Sequence, residues 1–244
     1  LFMKLVIVRH ADPDYSIDSL TPTGWKEAEL LSERLVKTPA DAYYVSPLGR
    51  AKDTASLTLK KLGRTAETKE WLREFSPRIV KPGMDRSTSI WDWLPEIWTK
   101  ELRYYDPEEW YHTDAMRSVN AEQEYKWVTK EFDRLLAFHG YEREGLYYRA
   151  VRPNRDTIVL FCHFGVECVL LSHLLHVSPM PLWHGLCAAA SSVTTIYTEE
   201  RRQGIASFRA NAFGDISHLY AAGEEPSFAA RFCETWDNEN ERHD

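Results

Sequence analysis

Two apolar runs in this chain end on a histidine: LVIVRH at His10 and TIVLFCH at His163. Arg9 stands directly before the first. A third stretch, SPLGRAKDTA, sets Arg50 just beyond another apolar run, AYYV. An arginine offers a rigid fork of donors that fits an anion such as phosphate, and an imidazole offers a proton carrier or a nucleophile. Any one polar strand exit has an ordinary explanation, since strands commonly end in solvent. Three at one edge of a sheet have a chemical one: Arg9, His10, Arg50 and His163 can converge on one anion if their strands are parallel, because ligands gather at the carboxyl ends of such strands.

The surrounding elements supply that condition. LTPTGWKEAELLSERLVKTPAD reads as a helix, capped by Thr21 or Thr23, with Pro22 in its first turn and Trp25, Ala28, Leu31 and Leu35 at helical spacing. Ala42 to Val45 reads as a strand, and the helix after it would start at Ser46 as cap with Pro47 at its first position, placing Arg50 in its first turn. Free amides at a helix start favour anions. Thr157 to Cys162 is a continuous apolar strand running straight into a helix, and SSVTTIYTEERRQGIASFRA reads as a hairpin turning near Gly204. Strand and helix alternate, which predicts an α/β fold with a parallel sheet.

Between about residues 76 and 155 the character changes. This stretch holds five of the nine tryptophans (Trp91, Trp93, Trp98, Trp110, Trp127), and an amphipathic helix spans 121 to 140 with Tyr125, Val128, Phe132 and Leu135 on one stripe. It reads as a helical, Trp/Tyr-rich insertion with its own small core, inside a single domain of residues 1–244 and covering the carboxyl edge of the sheet. The tail from Pro226 reads as charged and mobile. Met3 reads as the natural start, with Leu1 and Phe2 added ahead of it.

Composition narrows the function classes. A net charge of −7 argues against non-specific binding of nucleic acid or of anionic membranes, and no apolar run approaches a membrane span. The four cysteines (Cys162, Cys168, Cys187, Cys233) lack CxxC spacing and read as reduced thiols of a cytoplasmic protein. His173 and His176 stand one helical turn apart but lack a third ligand for zinc. FCHFGVECV is not a tyrosine-phosphatase loop, since the arginine that chemistry needs six residues after the cysteine is replaced by Cys168.

In their order, the motifs resemble those of the histidine phosphatase superfamily, the phosphoglycerate mutase-like proteins. They are RH after the first strand, LTPTGWKEAELL, SPLGRAKDTA, FCHFG and, near the end, NAFGDISHL. The resemblance covers about residues 3 to 75 and 156 to 220. It implies a three-layer α/β/α fold with a mainly parallel central sheet. It also implies that His10 is the nucleophile, that Arg9, Arg50 and His163 hold the phosphoryl oxygens, and that Glu74 in EWLREF is the acid, with no metal or other cofactor. Asp12, Asp14 and Glu167 compete for the acid's role because they lie close to the two histidines in sequence. The implied activity is a metal-independent phosphatase acting on a small-molecule phosphomonoester. The alternatives are a phosphoglycerate-type mutase, against which the phosphatase-like LTPTGWKEA speaks, and a non-catalytic phospho-ligand binding module. Oligomeric state is not legible.

The chain departs from the family pattern in two places. Ala11, Asp12 and Pro13 replace the usual Gly-Glu-Thr after the first histidine, and Ser16 stands where relatives carry an asparagine that contacts the phosphate. Either Ser16 replaces that ligand through its hydroxyl or the pocket uses one contact fewer. Phe164 replaces the glycine after the second histidine and, with Tyr15, is expected to give the pocket mouth an apolar or aromatic wall.

Overall fold

A computed structural model describes residues 2–229 and 231–243; Leu1 lies outside them. The chain begins with β1 (Lys4–Arg9), a two-residue ladder of β2 (Pro13–Asp14) and β3 (Ser19–Leu20), α1 (Pro22–Leu35), β4 (Ala42–Val45), α2 (Gly49–Leu62) and β5 (Glu67–Thr68). The middle of the chain holds the hairpin β6 (Arg78–Val80) and β7 (Ser87–Ser89), the short helices α3 (Pro95–Trp98) and α4 (Asp114–Arg117), the long α5 (Ala121–Phe138), and a second hairpin, β8 (Tyr141–Glu144) and β9 (Tyr147–Ala150). It closes with β10 (Thr157–Cys162), α6 (Phe164–Leu175), α7 (Pro179–Gly185), the long hairpin β11 (Val193–Arg202) and β12 (Ile205–Asp215), and α8 (Ser217–Ala221).

Eight strands form one sheet in the order β5-β4-β10-β1-β11-β12-β9-β8. From β5 to β1 the neighbours are parallel, and beyond β1 they are antiparallel. The parallel half carries the functional residues: β4, β10 and β1 lie side by side, with Arg9 paired to Cys162 and Phe161 to Val45. Three carboxyl ends, those before Ser46, His10 and His163, therefore meet at one edge. The fold is α/β in three layers. Val6, Val8, Val159 and Phe161 bury one face of the sheet against Leu31, Leu35, Ala51 and Ala55 of α1 and α2, while Leu5, Ile7, Ile158 and Leu160 bury the other against α5 and α6.

Local chemistry accounts for the helix starts. Thr21 caps α1 by accepting from Gly24 N–H at 3.0 Å, and Pro22 sits in its first turn; such a cap contributes about 1 kcal/mol. The buried stripe of α1 is rotated from the expected one: Trp25 is exposed and Glu27 is buried, because the loop after His10 offers Glu27 an N–H to accept. In α2 the cap position is Leu48, not Ser46; Ser46 is committed elsewhere. Gly49 opens α2 because a Cβ there would collide with the carbonyl of Asp18.

The 76–155 segment contains helices but also both hairpins, and β9 joins the sheet by pairing with β12. Its buried rings do not form a separate core. Trp93, Trp98, Trp110 and Phe132 belong to one cluster with Leu5, Ile7 and Leu160. Trp183 of α7 stacks on Phe75 at 5.6 Å and meets Trp110 edge-on at 5.6 Å, which joins insertion to sheet through aromatic contacts. Among the described residues no helix is long and apolar enough to cross a membrane.

Behind the antiparallel half, His218 is buried, its Nε2 facing Ser191 Oγ at 2.9 Å and its Nδ1 facing Arg34 Nη1 at 3.4 Å. Burial, aided by the Arg34 charge, pushes the imidazole down to about 4. The folded state thus refuses a proton that the unfolded chain accepts below the ordinary histidine value, so this part of the stability is complete above pH 6.5 and is lost as pH falls to about 4. In denaturant unfolding, the stability advantage of the wild type over a His218→Gln variant is expected to shrink by roughly 3 kcal/mol between pH 7 and pH 4. An unchanged difference would show that His218 is not held neutral.

Candidate active site

His10 follows the last residue of β1, where its backbone is fixed on both sides: its N–H donates to Cys162 O at 3.0 Å and its carbonyl accepts from Ser191 N–H at 3.0 Å. The ring is 2% exposed, and Nδ1 donates to Ala11 O at 2.8 Å. That bond puts the ring proton on Nδ1 and leaves the lone pair on Nε2. Burial and then the charges of Arg9 and Arg50 hold the imidazole well below its usual value, against the opposing pull of the Ala11 carbonyl. His10 is therefore neutral around pH 7, the state in which Nε2 is a nucleophile.

His163 lies 5.1 Å from His10, ring centre to ring centre. Its Nε2 is 2.7 Å from Ser46 Oγ, which already accepts from Leu48 N–H at 3.2 Å. When the hydroxyl donates to Nε2 the ring proton sits on Nδ1, which is buried and has no partner among the described residues. An N–H so placed beside His10 is a ready donor to an anion's oxygen. Burial, then the neighbouring His10, Arg50 and Arg9, keep this second imidazole neutral too.

The two arginines are held by the chain itself. Arg9, 2% exposed, donates through Nη1 to Ala188 O and through Nη2 to Ala229 O at 3.3 Å. Arg50 donates to Asp18 Oδ1 at 2.7 Å, its guanidinium carbon 5.2 Å from the centre of the Tyr15 ring. Asp18 also accepts from Gly49 N–H at 2.7 Å through its other oxygen. Burial opposes the charge on Asp18, but the Gly49 amide and Arg50 prevail and hold its carboxyl below the usual range. Asp18 thus occupies the helix start expected to serve an anion.

Glu74 reaches the first turn of α6. Its Oε1 accepts from Phe75 N–H at 2.7 Å and Val166 N–H at 2.9 Å, and its Oε2 from Gly165 N–H at 3.3 Å. Burial outweighs these amides and the charge of Arg50, raising the carboxyl above its usual value. A carboxyl raised in this way can carry a proton to a leaving group and take one back.

The other sequence candidates fall differently. Asp12 is engaged with α1, accepting from Thr21 Oγ1 at 2.6 Å while its N–H donates to Glu27 Oε2 at 2.8 Å. Ser16, the candidate phosphate ligand, is exposed and turns its hydroxyl to Asp14 Oδ1 at 2.5 Å, which engages Asp14 as well. Tyr15 is 67% exposed over Arg50. Phe164 is buried, its ring 5.9 Å from Trp91 and 5.5 Å from Phe232. Glu167 is 1% exposed within the first turn of α6. His173 pairs with Asp133 at 2.8 Å, and the described residues contain no group of three His, Cys, Asp or Glu side chains fit to hold a metal.

Four participants carried no signal in the sequence: Ser46 as partner of His163, Asp18 on Arg50, the Ala188 carbonyl on Arg9, and the C-terminal tail. The tail packs instead of moving freely. Ser227 N–H donates to Glu27 Oε1 at 3.1 Å, Ala229 O meets Arg9, Phe232 lies 6.0 Å from Trp91, and Arg242 pairs with Asp92. Aromatic contact and paired charges hold a segment whose composition alone looks solvated.

A sheet that gathers two histidines and two arginines at adjacent strand ends falls among the α/β folds that handle anions at this edge. The chain belongs to the histidine phosphatase superfamily, branch 1, whose profile matches residues 5–211. It is 38% identical over 82 residues to a putative phosphoserine phosphatase 2 of Hydrogenobacter thermophilus, a match covering 30% of this chain and 40% of that relative. It is 36% identical over 74 residues to a 2,3-bisphosphoglycerate-dependent phosphoglycerate mutase of Afipia carboxidovorans, covering 25% of this chain and 35% of that one. The chain therefore matches well under half the length of these relatives. Phosphoserine phosphatase of Entamoeba histolytica, crystallised with 3-phosphoglyceric acid, superimposes with a TM-score of 0.58 at 17% identity over 89% of this chain and 99% of that one. A mycobacterial glucosyl-3-phosphoglycerate phosphatase gives 0.55 at 18% identity over 87% and 99%. At such identities these structures support the fold.

Gly165 controls the fit of Glu74. A Cβ there would lie 2.6 Å from Glu74 Oε1 and 2.6 Å from Trp91 Nε1, and Glu74 is tied by three amides while Trp91 donates to Phe75 O at 3.0 Å. Gly165→Ala is expected to displace the carboxyl and lower turnover of a phosphate ester about a hundredfold, with an unchanged far-ultraviolet circular dichroism spectrum. Full activity in this variant would show that Glu74's position is not required.

Proposed function

We propose that this protein is a metal-independent phosphatase that hydrolyses a small-molecule phosphomonoester through a phosphohistidine on His10. The observation that carries the reading is a neutral imidazole with a free Nε2 set between two guanidiniums. In the first step Nε2 attacks phosphorus, the phosphorus–oxygen ester bond breaks, and Glu74 gives its proton to the departing oxygen. In the second, water attacks phosphorus, the phosphorus–nitrogen bond breaks, Glu74 takes the water's proton, and phosphate leaves with His10 restored. Arg9, Arg50 and the Nδ1–H of His163 supply donors to the equatorial oxygens. Such a transfer asks the protein mainly for in-line placement and charge stabilisation, which these groups provide without a metal.

Membership of the superfamily supports phosphatase or mutase chemistry. A mutase must keep a phosphorylated donor and rebind an acidic intermediate, and the side chains around the two strand ends are aromatic: Phe164, next to His163, packs with Trp91 and Phe232, and Tyr15 lies exposed over Arg50. They favour a leaving group with an apolar or planar face, in a reducing cytoplasm that keeps the four thiols reduced.

Purified protein is expected to turn over an aryl phosphate without added bisphosphoglycerate and in the presence of EDTA. His10→Ala should lower that turnover by more than about a thousandfold; brief reaction of the wild type followed by acid treatment should release phosphate bound to His10. Dependence on bisphosphoglycerate would favour the mutase, and a protein that binds phosphate esters without cleaving any would favour the binding module. Trp91→Ala is expected to reorder the preference among esters while the melting temperature stays within a few degrees; a uniform fall in all rates would assign the ring to scaffolding.

A further inference from the structure

Beneath the site, on the face of the sheet covered by α6, lies a set of buried polar atoms that the reaction leaves unused. Arg9 stands two residues after Ile7 and shares its face. The register pairs Arg9 with Cys162 and Ile7 with Thr194, and Arg9 N–H donates to Ser192 O at 3.1 Å, so Cys162, Thr194 and Ser192 border the same layer. Glu167, four residues after His163 on α6, is buried against it and interacts electrostatically with Arg9. Both carboxyl oxygens of Glu167, Nε of Arg9 and Oγ of Ser192 lack a hydrogen-bond partner among the described residues. The Thr194 hydroxyl accepts from Gly214 N–H at 3.0 Å and, as a neighbouring donor, favours the charged form of the Glu167 carboxyl. Buried polar atoms without partners are few in folded proteins, and a group of them on one face marks a place where they satisfy one another directly or through an ordered water.

We propose that Glu167 is a positioning residue for Arg9: with no direct ion pair between them, its carboxyl steadies the Nε edge of the guanidinium through an ordered water in this buried layer, so that the Nη edge stays turned toward the phosphoryl group. The role rests on Arg9 binding that group, as proposed above. Both side-chain hydrogen bonds of Arg9, to Ala188 and Ala229, fall on its Nη edge, which phosphate must compete for. An anchor on the inner edge keeps the fork in place during that exchange, which reduces the ordering lost on binding.

The anchor also responds to pH. Burial pushes the Glu167 carboxyl up to about 7, with Thr194 and Arg9 pulling it down and Glu74 pushing it further up. The remaining titratable neighbours, Cys162 on β10 and Cys168 on α6, are held protonated by burial. Below about pH 7 Glu167 is neutral and the charge of Arg9 is left for phosphate. Above it, the carboxylate competes for that charge.

Binding of inorganic phosphate, read as competitive inhibition of aryl phosphate turnover, tests the role in the wild type, Glu167→Leu and Glu167→Gln at pH 6 and pH 8. Glu167→Leu removes an unpartnered buried carboxyl and is expected to keep or raise the melting temperature. It is nevertheless expected to weaken phosphate binding tenfold or more, with the loss falling on KM more than on kcat. Glu167→Gln should bring affinity back to within threefold of the wild type while lacking the wild type's extra weakening between pH 6 and pH 8. Comparison between the two cancels phosphate's own titration. Wild-type phosphate affinity in Glu167→Leu, or a pH dependence in Glu167→Gln identical to the wild type, overturns the role. If Glu167→Leu does not fold, the Glu167→Gln comparison decides alone. Wild-type protein that neither binds phosphate nor cleaves any ester overturns the phosphatase reading itself, whereas normal wild-type binding with indifferent variants overturns only the role of Glu167.

Discussion

Everything at this site depends on keeping an imidazole neutral between two guanidiniums. A pocket for a phosphoryl group has to be cationic, and a nucleophilic histidine must not carry a proton; the two demands agree here because one arginine charge discourages another positive charge nearby. Withdrawal from water is the larger cause. It lowers His10, His163 and Arg9, and raises Glu74 and Glu167. A single physical cause therefore shifts the imidazoles and the carboxyls in opposite directions, each in the direction that the proposed phosphoryl transfer through histidine needs.

The fold is arranged to make that withdrawal possible. Parallel pairing of β4, β10 and β1 delivers Ser46, His163 and His10 side by side, and helices on both faces exclude water from the strand ends. The first amides of α6, which helix geometry leaves without intrahelical partners, are taken by Glu74. The aromatic insertion contributes to the same core as the sheet, so Trp91, packed edge-on to Phe164, shares that core with Phe75 and Trp183 instead of belonging to a separate subdomain.

The parts legible in the sequence were those where a hydrophobic run stops abruptly. LVIVRH and TIVLFCH announced both strands and both histidines, and the spacing around Pro22 and Gly204 announced a helix start and a hairpin. Patterns failed where burial is uniform or where partners are distant in sequence. The helix α6 is apolar on nearly every side, so nothing in its periodicity marked Glu167 as inward. Glu27 looked like a solvated glutamate because its partners, the amides of Asp12 and Ser227, are supplied by a loop and by the far end of the chain. Ser46 looked like a helix cap because the imidazole that engages it lies more than a hundred residues away. The tail looked mobile for the same reason: its partners Arg9, Trp91 and Asp92 are fixed only once the sheet exists.

The contacts of Arg9 with Ala188 and Ala229, and of Arg50 with Asp18, have a consequence for selectivity. An incoming anion does not meet bare cations; it meets cations already served by acceptors tethered to the same molecule and thus present at high local concentration. A small ion that replaces one such acceptor with one oxygen gains almost nothing. A phosphoryl group brings three oxygens and a double negative charge, enough to displace several acceptors together. Self-occupation thereby works as a threshold, which discounts weak and singly charged anions in proportion to how fully the chain's own groups hold the cations.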